Sequence, residues 1–157
     1  MSERRSALER RRAREFQAFV AGAAGRLLHA ATLLTAEPAP RNPLAQQLLT
    51  SALAHTYAEW DRLRGEDPYD RTRQELATRF ARTAWRHHRV RGGVLDRLTP
   101  QERLILVLRL YEGVAEEQTA ALIGLPVERV RAICARAVAT MRSTPPAPPR
   151  APAEAVS

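Results

Sequence analysis

The sequence predicts an all-α protein made of two small helical units, the second of which contains a helix-turn-helix. Three observations carry this. Apolar residues recur at three- and four-residue steps through most of the 157 residues. No run alternates β-branched or aromatic residues with polar ones between hairpin turns. Gly and Pro fall where one periodic run stops and the next begins, as helix ends and first turns require.

The elements follow in order. Residues 1–14 form a basic extension (Arg4, Arg5, Arg10, Arg11, Arg12, Arg14) that frays at its start before joining a helix. Phe16, Phe19, Val20, Ala23, Leu27, Ala30, Ala31 and Leu34 make the buried stripe of that first helix, which "TAEPAPRNP" ends. Asn42 caps a second helix with Pro43 in its first turn. Its stripe is Leu44, Leu48, Leu49, Ala52, Leu53, Thr56, Trp60 and Leu63, and Gly65 closes it. Asp67 and Pro68 open a third helix, expected to reach about His88 with Leu76, Ala77, Phe80, Ala81 and Ala84 inward. Residues 15–90 are thus one unit, and residues 91–97, with Gly92 and Gly93 as a flexible joint, are the linker.

A second unit, 98–142, begins with Thr99-Pro100-Gln101-Glu102, a capping box in which hydroxyl and carboxylate satisfy free helix-end amides. Its helices are "PQERLILVLRLYEG", Val114 to Ile123, and Pro126 to Arg142, with Gly124 between the last two. Residues 143–157, "STPPAPPRAPAEAVS", have too little apolar surface to fold and are expected to be a disordered tail.

Composition bounds the function. Net charge is +8 and every basic residue other than His is Arg, so polyanions such as nucleic acid are favoured partners. The single cysteine, Cys134, excludes an intrachain disulfide and a Cys-rich zinc site, and it falls on an inner helix face. No secretory leader is legible and no stretch approaches the roughly 18 apolar residues of a membrane span, so a cytoplasmic location is expected. No nucleophile, base and orienting acid group together, and no Gly-rich phosphate loop follows a strand. Neither an enzyme nor a cofactor is expected. His87 and His88, being adjacent, point to different faces and find no ligand partner at a matching offset, so no metal is expected.

Two features carry function. In the last helix, Val127, Val130, Cys134, Ala137, Val138 and Met141 face inward, while Glu128, Arg129, Ala132, Arg136 and Ala139 face outward. A short helix and turn bracing such a helix is how a helix-turn-helix enters the major groove, although a plain helical hairpin has the same outline. In the third helix, Arg79, Arg82, Arg86 and Arg89 share one face in a stretch poor in Asp and Glu, residues 76 to 95. Such a stripe is either a solvated face or a phosphate-binding one. Trp85 beside it can stack on an unpaired base or serve packing.

"LTPQERLILVLRLYEG" followed by "VAEEQTAALIGLPVERVRAICARAVATMR" resembles region 4 of the small two-domain sigma factors of the extracytoplasmic-function group, in the sigma-70 family. "FQAFVAGAAGRLLHAATLLTAEP", "LAQQLLTSALAHTYAEWDRLR" and the Trp of "ARTAWRHHR" are similar to their region 2. The resemblance covers most of residues 15 to 142. It implies a protein that joins RNA polymerase core and binds promoter DNA, the N-terminal helices at the minus-10 element and the C-terminal unit at the minus-35 element. By it, Glu128, Arg129, Arg131, Ala132 and Arg136 meet DNA near minus-35, and Arg79, Arg82, Arg86 and Arg89 meet backbone near minus-10. Gln47, Leu48, Leu49 and Ser51 stand in the polymerase-facing segment, although Leu48 and Leu49 are equally core candidates. An anti-sigma or other regulatory protein is an open third partner.

The departures are specific. Where the family carries an acidic D-L-V-Q-E segment, this chain has Gln47-Leu48-Leu49-Thr50-Ser51 and neither carboxylate. The family's G-T-V-K-S-R becomes Glu128 to Ile133, and the usual Ser cap of the turn's first helix is Ala115. A linker of Val90 to Leu95 spans about 20 Å fully extended, while one DNA turn is about 34 Å, so either a flanking helix unravels or the units act in a compact pose. The rival reading is a sigma-like DNA-binding regulator, or partner of another transcription protein, without initiation activity.

Overall fold

A computed structural model describes residues 1–143 and Pro145; the expected disordered tail lies, but for Ser143 and Pro145, outside the described residues. Among the described residues the fold is entirely helical: α1 (Ser2–Thr35), α2 (Pro43–Ala58), α3 (Pro68–Arg82), α4 (Pro100–Leu106), α5 (Glu116–Ile123) and α6 (Val127–Arg142). Tight single turns at Trp60–Arg62 and Ala84–Arg86 follow α2 and α3, so α3 ends six residues short of the expected His88.

The first three helices run up, down and up. Arg12 near the start of α1 reaches the end of α2, where it donates to the Tyr57 carbonyl at 2.6 Å. Asn42, at the start of α2, reaches Thr32 near the end of α1, with Nδ2 donating to Oγ1 at 2.9 Å. Deep between α2 and α3, the hydroxyls of Thr56 and Thr72 bond at 2.8 Å. α1 holds the one described stretch long and apolar enough by composition to cross a bilayer, which the sequence pattern did not suggest. Its Leu27, Ala30, Ala31 and Leu34 are buried, and α1 packs on α2 and α3, so this apolarity serves the core.

Asn42 occupies the cap position of α2 without capping it by its side chain. Glu37 does so instead: its carboxylate is buried and accepts from the amides of Leu44 at 3.1 Å and Ala45 at 2.8 Å, steadied by the Thr35 hydroxyl at 2.8 Å. Ala81, expected inward, is exposed, because α3 turns only its Thr72, Leu76, Ala77 and Phe80 into the core. The capping box of α4 is present as expected, Thr99 and Glu102 exchanging side-chain-to-amide bonds at 3.0 and 3.2 Å.

α4 does not continue evenly through "VLRLYEG". From Val107 to Tyr111 the backbone widens into a π turn in which the Glu112 amide reaches back to the Val107 carbonyl at 2.9 Å. This turn and Gly113, at φ 67°, let the chain double back into α5. α4, α5 and α6 enclose Ile105, Ala120, Val130 and Ile133. The larger core is continuous across both halves: Ala30, Leu34, Ala52, Leu76 and Phe80 form one cluster with Leu95, Leu98, Leu104, Leu108 and Ala137.

Candidate nucleic-acid interface

α6 places its charge by period alone. Val130, Ile133 and Ala137 are buried, which turns Glu128, Arg129, Ala132, Arg136 and Ala139 outward. Ile133 therefore belongs to the core and presents nothing to a partner. Arg129 and Arg136 make no ion pair among the described residues. Arg131 is differently placed: it donates to Glu116 at the start of α5, Nη2 to Oε2 at 2.8 Å, and so ties α5 to α6. That hydrogen bond and the paired charge raise the Arg131 pKa and lower that of Glu116. Arg109 approaches the same carboxylate at 3.8 Å and also donates to the Val114 carbonyl, so Glu116 is a buttress of the helix-turn-helix. Cys134 is half-buried, and burial pushes its thiol pKa up, as suits a packing residue.

A second basic surface lies where α3 ends. Arg82, Arg86 and Arg89 are exposed and carry no ion pair among the described residues, while Arg79 is held by Glu75 at 2.8 Å. Trp85 is 69% exposed, with the Arg86 guanidinium 4.9 Å from its ring centre. An aromatic face open to solvent among unpaired guanidinium groups is the arrangement on which a base can stack while phosphates are held. Trp85 stands in the short turn Ala84–Arg86 with its indole open to solvent, so it contributes little to packing. His87, one turn inward, is buried and stacked on Phe80 with ring centres 5.0 Å apart, whereas His88 is exposed.

α2 and α3 bring two sequence-distant sets together. Gln47, Leu48 and Ser51 line one wall of a groove of about 310 Å³, and Arg79, Arg82, Thr83 and Arg86 line the other, with no carboxylate between them. Leu49 faces away, packed with Ala23 and Leu27, which leaves Leu48 as the member of that pair that reaches the groove. The polymerase-facing and minus-10 candidates thus share one surface that sequence spacing had kept apart.

The linker is not a free joint. The Gly93 amide donates to the Ala36 carbonyl at 2.8 Å, and a Cβ at Gly93 would lie 2.3 Å from the Ala36 carbonyl carbon. Arg103 from α4 is fully buried and donates to the carbonyls of Leu98 at 3.0 Å, Leu34 at 3.1 Å and His87 at 3.0 Å. Glu112, its side chain 1% exposed, accepts from the Tyr69 hydroxyl at 2.8 Å and faces Arg26 and Arg73, each at 3.7 Å. Burial, then this carboxylate, raises the Tyr69 pKa well above the usual phenol range. These groups hold the α6 face and the α3 end in one compact body.

Residues 94–143 match the family model of sigma-70, region 4. Most of the chain is also similar to the RNA polymerase sigma-E factors of Streptomyces coelicolor and Streptomyces avermitilis. Each is 26% identical over 153 residues, spanning 82% of this chain and 84% and 83% of the relative. The RNA polymerase sigma-E factor of Streptomyces antibioticus is 27% identical over 123 residues, spanning 62% of this chain and 68% of the relative. The chain is thus similar to sigma-70 proteins, in region 4 by the family model and over most of its length by these relatives. No solved structure matches. The matched residues take in α4, α5 and α6, so the helix-turn-helix lies within the region 4 match.

Proposed function

We propose that this protein is a sigma factor that binds RNA polymerase core and promoter DNA to direct transcription initiation. The observation that carries the reading is the exposed, unpaired Arg129 and Arg136 on the outer face of α6, within the region 4 match. Residues 98–142 read the minus-35 element through Arg129, Ala132 and Arg136, with Glu128 and the Glu116-bound Arg131 at the margin. Residues 15–90 engage minus-10, where Arg82, Arg86 and Arg89 hold phosphates, Trp85 offers a stacking face and Arg79 stands behind them. Polymerase meets the groove at Gln47, Leu48 and Ser51. Residues 91–97 join the two units, and the site of action is the cytoplasm. No reaction is assigned to the chain, and an anti-sigma or other regulatory protein stays an open third partner.

One observation favours the second reading, a sigma-like regulator without initiation activity: the α2–α3 groove carries Arg and no carboxylate. The two are separated by the affinity of the purified chain for bacterial RNA polymerase core, alongside a Gln47→Asp, Ser51→Glu variant. Tight binding by the natural chain, with transcription from a cognate promoter that Arg129→Ala and Arg136→Ala abolish, supports the sigma factor. Absence of core binding, especially where the variant gains it, supports the regulator.

A further inference from the structure

α1 is far longer than its partners, and its first three turns touch almost nothing. Its 34 residues span about 51 Å, against about 24 Å for the 16 of α2. The aromatic cluster of Phe16, Phe19, Tyr57 and Trp60, and Arg12 with its bond to the Tyr57 carbonyl, mark where packing against α2 ends. Residues before Arg12 are exposed except for Ser6, so a helical arm projects from the bundle.

The arm is patterned. At 100° per residue, Arg4, Arg10, Arg11 and Arg14 fall within about 120° on the side opposite Arg12, Phe16 and Phe19. Arg4, Arg10 and Arg14 carry no ion pair among the described residues, and Arg11 has only the exposed Glu15 at 3.0 Å. Arg62 and Arg64 stand exposed at the same end of the bundle, since Asp61 pairs with Arg12 at 3.2 Å. Three up-and-down helices put this end opposite Trp85 and Arg86, one length of α3, about 22 Å, away.

We infer that this arm is a sequence-independent binding site for the phosphate backbone of duplex DNA, separate from both surfaces described above. The stripe from Arg4 to Arg14 covers about 15 Å, a length over which a duplex presents about nine phosphate charges. Guanidinium groups bind phosphate in fork geometry without needing any base edge. A membrane surface is the weaker match, because an interfacial helix needs a continuous apolar face, and the arm offers only Met1, Ala7, Leu8 and Ala13. The choice of duplex DNA among polyanions rests on the proposed function; the presence of a phosphate site does not.

The test is fluorescence anisotropy of the full chain with a labelled duplex of scrambled sequence, measured across a salt series. An Arg4→Gln, Arg10→Gln, Arg11→Gln, Arg14→Gln variant is compared with an Arg129→Gln, Arg136→Gln variant, and helix content by circular dichroism confirms that both fold. Each phosphate contact contributes about 0.9 to the log-log salt slope. Loss of the arm is expected to reduce the slope by about 2 to 4 and to weaken binding at least tenfold at low salt. Arg→Lys at the four positions should restore most of it. An unchanged slope in the Gln variant, with specific promoter binding intact, overturns the arm and leaves the proposed function standing. Unchanged slope with binding to phosphatidylserine vesicles that only the natural arm supports also overturns it, in favour of a membrane surface. Arm-dependent binding to scrambled duplex in a chain that shows no promoter preference supports the arm while removing the proposed function.

Discussion

Among the described residues Arg103 is the largest side chain without solvent exposure and makes no ion pair; three backbone carbonyls accept its hydrogen bonds. Burial lowers its pKa, yet a guanidinium stays charged, and its fork is the one side-chain geometry that meets all three carbonyls at once. Arg103→Lys is expected to cost about 2–4 kcal/mol in urea unfolding, since at least one buried carbonyl loses its donor. The carbonyl of His87 is one of the three, and its imidazole lies beside the same charge. Burial first, then Arg103, with Arg86 adding and Glu37 opposing, holds the His87 pKa below its usual 6.5. In the unfolded chain the ring returns to that value. Between the depressed native pKa and 6.5 the unfolded state binds the extra proton, so stability is full above about pH 7 and falls as pH drops below 6.5. The melting temperature of the natural chain should decline from pH 7 to pH 5 more steeply than that of His87→Gln. Parallel curves would remove His87 as the source.

At the scale of elements, what the sequence made legible was local. The capping box at Thr99 and Glu102 and the cap at Asp67 are written within four residues, and both form as expected. The outer face of α6 follows from a period of 3.6 and needed only its own residues. Glu37 capping α2 from five residues before Asn42 could not be read that way, because the segment between them must fold back first. The same holds for Arg131, whose partner Glu116 lies fifteen residues away across a turn, and for the groove, which exists only once α2 lies on α3. Gly92 and Gly93 were legible as glycines and misread as freedom. Gly93 is required by contact, so Gly93→Ala should cost about 2 kcal/mol or more, because Ala36 offers a rigid backbone carbonyl and no movable side chain. Thermal unfolding checks the cost, and limited proteolysis should show new cleavage near residues 90–94. An Ala variant as stable and as protease-resistant as the natural chain would mean that the linker is not docked.

The whole molecule departs furthest from two units on a string. A continuous core, the Arg103 bonds and the buried Glu112 all join the halves, so separating them exposes apolar surface and parts the Glu112 carboxylate from Tyr69, Arg26 and Arg73. An extended linker reaching only about 20 Å made a compact pose one of two options, and the contacts chosen by folding are those that stabilise it. Both tryptophans, Trp60 and Trp85, lie in the N-terminal half, so indole fluorescence reports that half alone while circular dichroism reports every helix. In urea the two signals are expected to coincide in a single transition, as one cooperative unit requires. Glu112→Ala removes the acceptor of the Tyr69 hydroxyl and the carboxylate facing Arg26 and Arg73, at a cost of about 1–2 kcal/mol, because Arg26 is half exposed and Arg73 keeps Asp70. Because that cost falls on the junction and on neither half's interior, the variant should separate the signals, helix loss beginning at lower urea than the indole change. Coincident transitions at a lower midpoint would instead show that the shared apolar core alone suffices to couple the halves. In that case separation for promoter binding would have to be driven by the partner's own binding energy.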